Sequence, residues 1–119
     1  LDDAANYIPA RISALLLIAA SAIAGRDFDA GRAARIWKRD RRNHKSPNAA
    51  QTESAAAGAL GVQLAGDAQY FGKTVKKPCI GDKVRDIEVY DIVRVNRLMQ
   101  AASFLGFAVC MIALLAAAA

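Results

Sequence analysis

Histidine occurs once, cysteine twice and proline three times in the 119 residues, and each scarcity removes a class of chemistry. His44 alone cannot build a multi-histidine metal centre, and a conventional serine triad would have no base other than this one residue. Cys79 and Cys110 show no metal-ligand spacing. Cys110 also lies inside an apolar tail that a cysteine of the polar stretch could hardly reach, so no disulfide framework is expected. Any metal here would be held by carboxylates. Aromatic residues make up 7% and are not interleaved with the basic ones, which argues against nucleic acid as a partner. Apolar residues are plentiful: 55% of the chain is hydrophobic and its mean hydropathy is +0.17, far from the composition that keeps chains unfolded. The length allows one small domain or a piece of a larger one and excludes a large multidomain enzyme.

Alanine supplies 27 of the 119 residues, gathered in an early apolar run and an almost wholly apolar tail, while nearly all the charge lies between them. This segregation predicts membrane ends around a wet middle. Residues 101–119 contain a single hydroxyl, Ser103, and as a helix would reach about 28 Å, close to a hydrocarbon thickness of about 30 Å. The run 12–25, bounded by Arg11 and Arg26, would reach only about 21 Å. It is expected either to be re-entrant or to span by drawing Tyr7, Pro9 and Arg11 into the bilayer zone, with Arg11 snorkelling to the interface or serving a buried site. The run follows Asp2 and Asp3 rather than a basic leader, so no signal peptide is read. With Leu1 first and Ala116 to Ala119 last, the sequence reads as part of a longer polypeptide.

Residues 26–97 carry fifteen of the sixteen Lys and Arg against nine acids, a net of +6, which by the positive-inside tendency places this stretch in the cytoplasm. Within it, residues 30–42 have helical periodicity. Ala30, Ala33, Ala34 and Trp37 share one face, and Arg32, Arg35, Arg39 and Arg42 the other. The reading is a helix along anionic lipid with Trp37 at headgroup depth; a substrate-binding arginine stripe is the alternative.

The stretch 44–66 carries Ser-Pro-Asn at 46–48, a helix-start signal, with Asn48 able to cap the first amides and Gln51 placed for a capping-box return bond. A helix from Ala49 to about Leu64 is predicted. Ser54 with Gly58, or Ala57 with Gly61, lie one turn apart, so a second helix could approach closely on that face. Each helical glycine costs about 1 kcal/mol relative to alanine, a cost that close packing or backbone approach to a ligand would offset. The amino end of such a helix attracts phosphate or carboxylate, and Ser46 and Asn48 form the candidate anion cradle. Glu53 could hold a magnesium ion there, or simply complement the helix dipole. Gly72, Lys73 and Thr74 suggest a phosphate loop, yet Asp67 stands where that motif needs its first glycine, so the reading fails on spacing. The words around Tyr70 and from Pro78 to Asp82 look like turn-rich connections, with Asp82 after Gly81 either a metal or substrate ligand or a solvated turn residue. Residues 86–100 fit strand or helix; a helix leading into the tail span is chosen, because no breaker intervenes and Asp86, Glu88 and Asp91 precede Arg94 and Arg97.

Four separated words, LDDAANYIPARI, HKSPNAAQTESAAAGALGVQL, YFG and KPCIGD, resemble in the same order the membrane-bound cobinamide-phosphate synthases of cobalamin biosynthesis. They span most of residues 1–82. Ala50 and Ala65 stand where that family usually has glycine, small for small. The resemblance implies an amide-forming ligase that joins the propionate of cobyric acid, free or adenosylated, to aminopropanol or its phosphate. It also implies ATP and magnesium as cofactors, since a carboxylate must become an acyl phosphate before an amine displaces it. The candidate set is then Glu53 and Asp82 as catalytic groups; Asn6, Arg11, Ser46, Asn48, Gly58 and Gly81 for substrate and phosphate; and Asp2, Asp3 and Glu53 for metal. If residues 12–25 crossed a bilayer, Asp2, Asp3 and Asn6 would lie opposite Ser46, and only a re-entrant or midplane arrangement would let them share a site. The expected partners are a corrinoid, an amino alcohol or its phosphate, the bilayer and the missing amino-terminal part of the same protein. The expected location is the bacterial inner membrane, multi-pass. The expected fold is mainly α, a membrane helical fragment with a polar, turn-rich cytoplasmic loop, divided as 1–25, 26–97 and 98–119. A transporter fragment or a scaffold for corrin-pathway enzymes is the alternative function.

Overall fold

A computed structural model describes residues 2–42, 48–65, 68–70, 73–75 and 79–119, the side chains of 2–4, 65, 68–70 and 73–75 excepted. The described residues form four helices, α1 (Asp2–Ile23), α2 (Ala30–Asp40), α3 (Ala49–Leu60) and α4 (Asp91–Ala118), and the short strands β1 (Leu64–Ala65), β2 (Ala68–Tyr70), β3 (Lys73–Val75) and β4 (Cys79–Ile80). Antiparallel pairing of β1 with β4 sets Leu64 opposite Ile80, and pairing of β2 with β3 sets Gln69 opposite Thr74. Only turn-rich connections were expected there; the mainly α architecture agrees with the sequence reading.

The apolar run 12–25 is not a helix by itself. It belongs to the 22-residue α1, about 33 Å long, which passes through Pro9 and Arg11 without a break. Both Ala5–Ile23 of α1 and the 28-residue α4 are long and apolar enough to cross a membrane. Ala14, Leu17, Ala20 and Ser21 of α1 are buried, because α3 and α2 pack on one side of the helix and the first turns of α4 on another.

The central helix is α3, buried over most of its length. Its small-residue face admits α2 as the spacing predicts: a methyl group added at Gly58 would come within 2.7 Å of the Ala33 Cα and the Arg32 carbonyl oxygen. The helix stops at Gly61, earlier than expected, where a φ of +75° favours glycine and the Gly61 amide donates to the Ala57 carbonyl (2.9 Å). The capping box does not form. Asn48 has helical backbone angles and makes no side-chain cap bond, while the Gln51 side chain accepts a hydrogen bond from Trp37 Nε1 at 2.9 Å.

That bond reassigns α2. Its apolar face, expected to rest on lipid, is docked on α3, with Ala33 and Ile36 fully buried and Trp37 packed against the core. The start of α2 is capped by Asp29, whose carboxylate accepts the Arg32 amide at 2.9 Å. Arg32 leaves the expected basic face and donates to the Gly58 carbonyl (2.6 Å) and the Ala59 carbonyl (3.3 Å). The Asp29 amide also reaches the Ala59 carbonyl (3.0 Å), Arg85 Nε reaches that of Leu60 (3.2 Å), and the Val84 and Arg85 amides reach that of Gly61 (3.2 Å each). Every orphan carbonyl at that end of α3 is thereby satisfied.

The last helix starts at Asp91, five residues later than the first position considered. Residues 81–90 are irregular because Asp91 turns back, accepting the Glu88 amide (2.8 Å) and pairing with Arg85 (2.5 Å) and Arg94 (3.0 Å). Arg97 pairs with Asp27 at 3.1 Å just beyond the end of α1, and Leu98 and Ala102 join the core.

Candidate functional site

The contact between Arg11 and Asn48 decides how the two polar motifs relate. Arg11 lies over the Tyr7 ring, 3.4 Å from its centroid, and donates to the Tyr7 carbonyl (2.9 Å) and to Asn48 Oδ1 (3.5 Å). The opening motif and the start of α3 therefore meet at one end of the helix cluster. An arrangement with Arg11 and Asn48 on opposite sides of a bilayer does not occur. Arg11 is half-buried there, so its guanidinium is partly desolvated and retains donors beyond those used. Asn6 does not join it: it is exposed, five residues earlier and about 140° around an ideal helix. Ser46 and the side chains of Asp2 and Asp3 lie outside the described residues.

Glu53 sits in the second turn of α3, away from the helix start. With Thr52 and Ala56 it lines a cavity of about 530 Å³ between α1, α3 and α4, whose other walls include Ser13, Leu16, Leu17, Leu98 and Met99. Glu53 is half-buried and makes no hydrogen bond or ion pair with another described residue. Among the described residues no group of three or more His, Cys, Asp or Glu is arranged to hold a metal ion.

The other candidates are engaged in the fold. Gly58 is filled on its open side by α2. Gly81, with a φ of +86°, would drive a Cβ into the Val62 carbonyl oxygen, so its lack of a side chain permits β4 to close on the end of α3. Its amide donates to Asp40 Oδ2 at 2.7 Å. Arg39 holds Asp40 through two bonds of 2.8 and 2.7 Å and reaches Asp82 at 2.9 Å. Asp82 is thus half of an ion pair with one side open to solvent. The Arg39 hydrogen bonds, opposed by burial and helped by the Gly81 amide, hold the Asp40 carboxyl below the usual carboxylate range.

Asp40, Ser13 and Thr52 escaped the sequence reading. Asp40 had a usable signal, since a lone acid among Lys38, Arg39, Arg41 and Arg42 is well placed to be paired. Ser13 and Thr52 had none, because only the packing of α1 on α3 brings them to one cavity.

Comparison with known proteins follows the same motifs. The family described as CobD/Cbib protein matches residues 1–99. A cobalamin biosynthesis protein CobD of Clostridium perfringens is 47% identical over 112 residues, covering 94% of this chain and 35% of that protein. A cobalamin biosynthesis protein CbiB of Salmonella arizonae is 54% identical over 108 residues, or 91% of this chain and 33% of that protein, and a CobD of Citrobacter koseri shows the same identity and coverage. This chain spans about a third of the length of the curated relatives it matches. No solved structure matches it. With a family match over most of its residues and relatives near half identical along nearly its whole length, the chain belongs to the CobD/CbiB protein family.

Proposed function

We propose that the complete protein acts in cobalamin biosynthesis as a membrane-bound amide-forming ligase, joining the propionate carboxylate of cobyric acid, free or adenosylated, to aminopropanol or its phosphate. The names of the relatives support the pathway. The observation that carries the reaction is the meeting of Arg11 with Asn48 at the start of α3. A carboxylate and a phosphate ester both need concentrated positive charge, and a partly desolvated guanidinium beside the amino end of α3 supplies it. The same donors would receive the charge that develops on the carbonyl oxygen as the amide forms.

Activation of the carboxylate by magnesium ATP is part of this reading. Among the described side chains none forms a magnesium set, and Asp2 and Asp3, which with Glu53 make up the expected one, lie outside them. Arg11 and Asn48 are instead assigned to holding and orienting the anionic substrate. The inner membrane is the proposed location, with α4 inserted and the α2–α3 side toward the cytoplasm. Its support is the row of exposed apolar residues on the far half of α4, among them Phe104, Phe107, Ile112 and Leu115.

The test is to incubate the complete protein in detergent with cobyric acid, aminopropanol phosphate and magnesium ATP and to seek the amide by mass. Arg11→Ala and Asn48→Ala should each lower turnover about tenfold or more, the worth of one charge-assisted hydrogen bond, with membrane insertion retained. Undiminished product from both variants would defeat the assignment, as a transporter or scaffold would tolerate the changes.

A further inference from the structure

The cavity between α1, α3 and α4 combines an ionisable group with apolar walls in a way the fold itself does not use. Glu53 stands on its α3 side without a partner among the described residues, and Ser13 and Thr52 beside it are likewise unpaired there. The opposite walls are Leu16, Leu17, Leu98 and Met99, and none of the lining residues is basic. A carboxylate next to such walls is stabilised by a cation that can hydrogen-bond to it. Magnesium matches these walls poorly, because it keeps several of its waters and leucine and methionine offer those waters no hydrogen bonds. An organic ammonium matches both features. Its N–H donors suit the carboxylate and the hydroxyl oxygens, and a short aliphatic skeleton suits the leucine and methionine walls.

We propose that this cavity binds a small aliphatic ammonium, with Glu53 as its counter-ion. Identifying the physiological ligand as the amino alcohol rests on the amide-forming reading above; the binding itself does not. The site differs from the Arg11 and Asn48 contact in charge and in purpose, one selecting a cation and the other an anion.

The experiment compares two probes of nearly equal shape, n-propylammonium and n-propanol, titrated into the complete protein in detergent micelles and followed by saturation-transfer NMR. The ammonium should bind about tenfold more tightly than the alcohol, in line with one charge-assisted hydrogen bond. Glu53→Gln should bring the two affinities together, and Ala56→Leu, which fills the cavity from α3, should weaken both. Helix content by circular dichroism should stay constant in both variants. Equal affinities in the unmodified protein, a preference that survives Glu53→Gln, or displacement of the ammonium by magnesium would overturn the proposal. Loss of the amide product with the ammonium preference intact would sink the ligase reading and leave the site standing.

Discussion

The first and last halves of α4 both carry large apolar residues and hold them in different surroundings. In the first half Leu98 is fully buried and Ala102 nearly so, packed on Leu17 and its neighbours. In the far half Phe104, Phe107, Val109, Ile112, Leu114 and Leu115 are all exposed. At about 1.5–3 kcal/mol for each large apolar side chain left in water, those six would forgo on the order of 10 kcal/mol, as much as the whole stability of an ordinary domain. The helix cluster works the other way, burying mostly alanine and drawing its cohesion from close backbone approach at Gly58. Small residues therefore let the helices of the cluster close on one another, while the large ones of the far half of α4 are left uncovered by the described residues.

The sharpest way to break the contrast is Gly58→Val, which drives a branched side chain into the Ala33 backbone and should cost about 3 kcal/mol or more, read as loss of protease resistance in micelles. Leu98→Ala should cost about 2–4 kcal/mol by thermal unfolding, whereas Leu114→Ala should leave the melting of the helix cluster within about 0.5 kcal/mol. Asp40→Asn should cost about 2 kcal/mol, since it removes charge from the bonds to Arg39 and Gly81. Because the folded Asp40 carboxyl lies below its unfolded value, its stabilisation is complete above about pH 4 and is lost as pH falls further. Acid unfolding should accordingly be steeper below about pH 4 in the unmodified protein than in Asp40→Asn.

What the sequence revealed follows the range of the interactions. The start of α3, its small-residue face and the helical choice for the last segment were legible because each depends on neighbours within a turn or two. The start of α4 was misjudged by five residues because Asp91, the group that sets it, bonds backward to Glu88 and to Arg85. The face of Trp37 was read as lipid-facing because its true partner, Gln51, is fourteen residues away and was assigned to a cap. The pairing of Arg39 with Asp82 spans 43 positions and leaves no local trace. At the site, Arg11, Asn48 and Glu53 were named from their motifs. That the first two touch while the third faces a different cavity depends on how α1 lies against α3.

The crowded carbonyl end of α3 has a mechanical consequence. Bonds from Asp29, Arg32, Val84 and Arg85 converge there from two distant segments, so that end can loosen only by releasing several ties together. Among the described residues the opposite end is tied to α2 through Trp37 and Gln51 (2.9 Å) and meets Arg11 at 3.5 Å. Amide hydrogens held in the knot at the carbonyl end should therefore be among the last in the molecule to exchange with solvent.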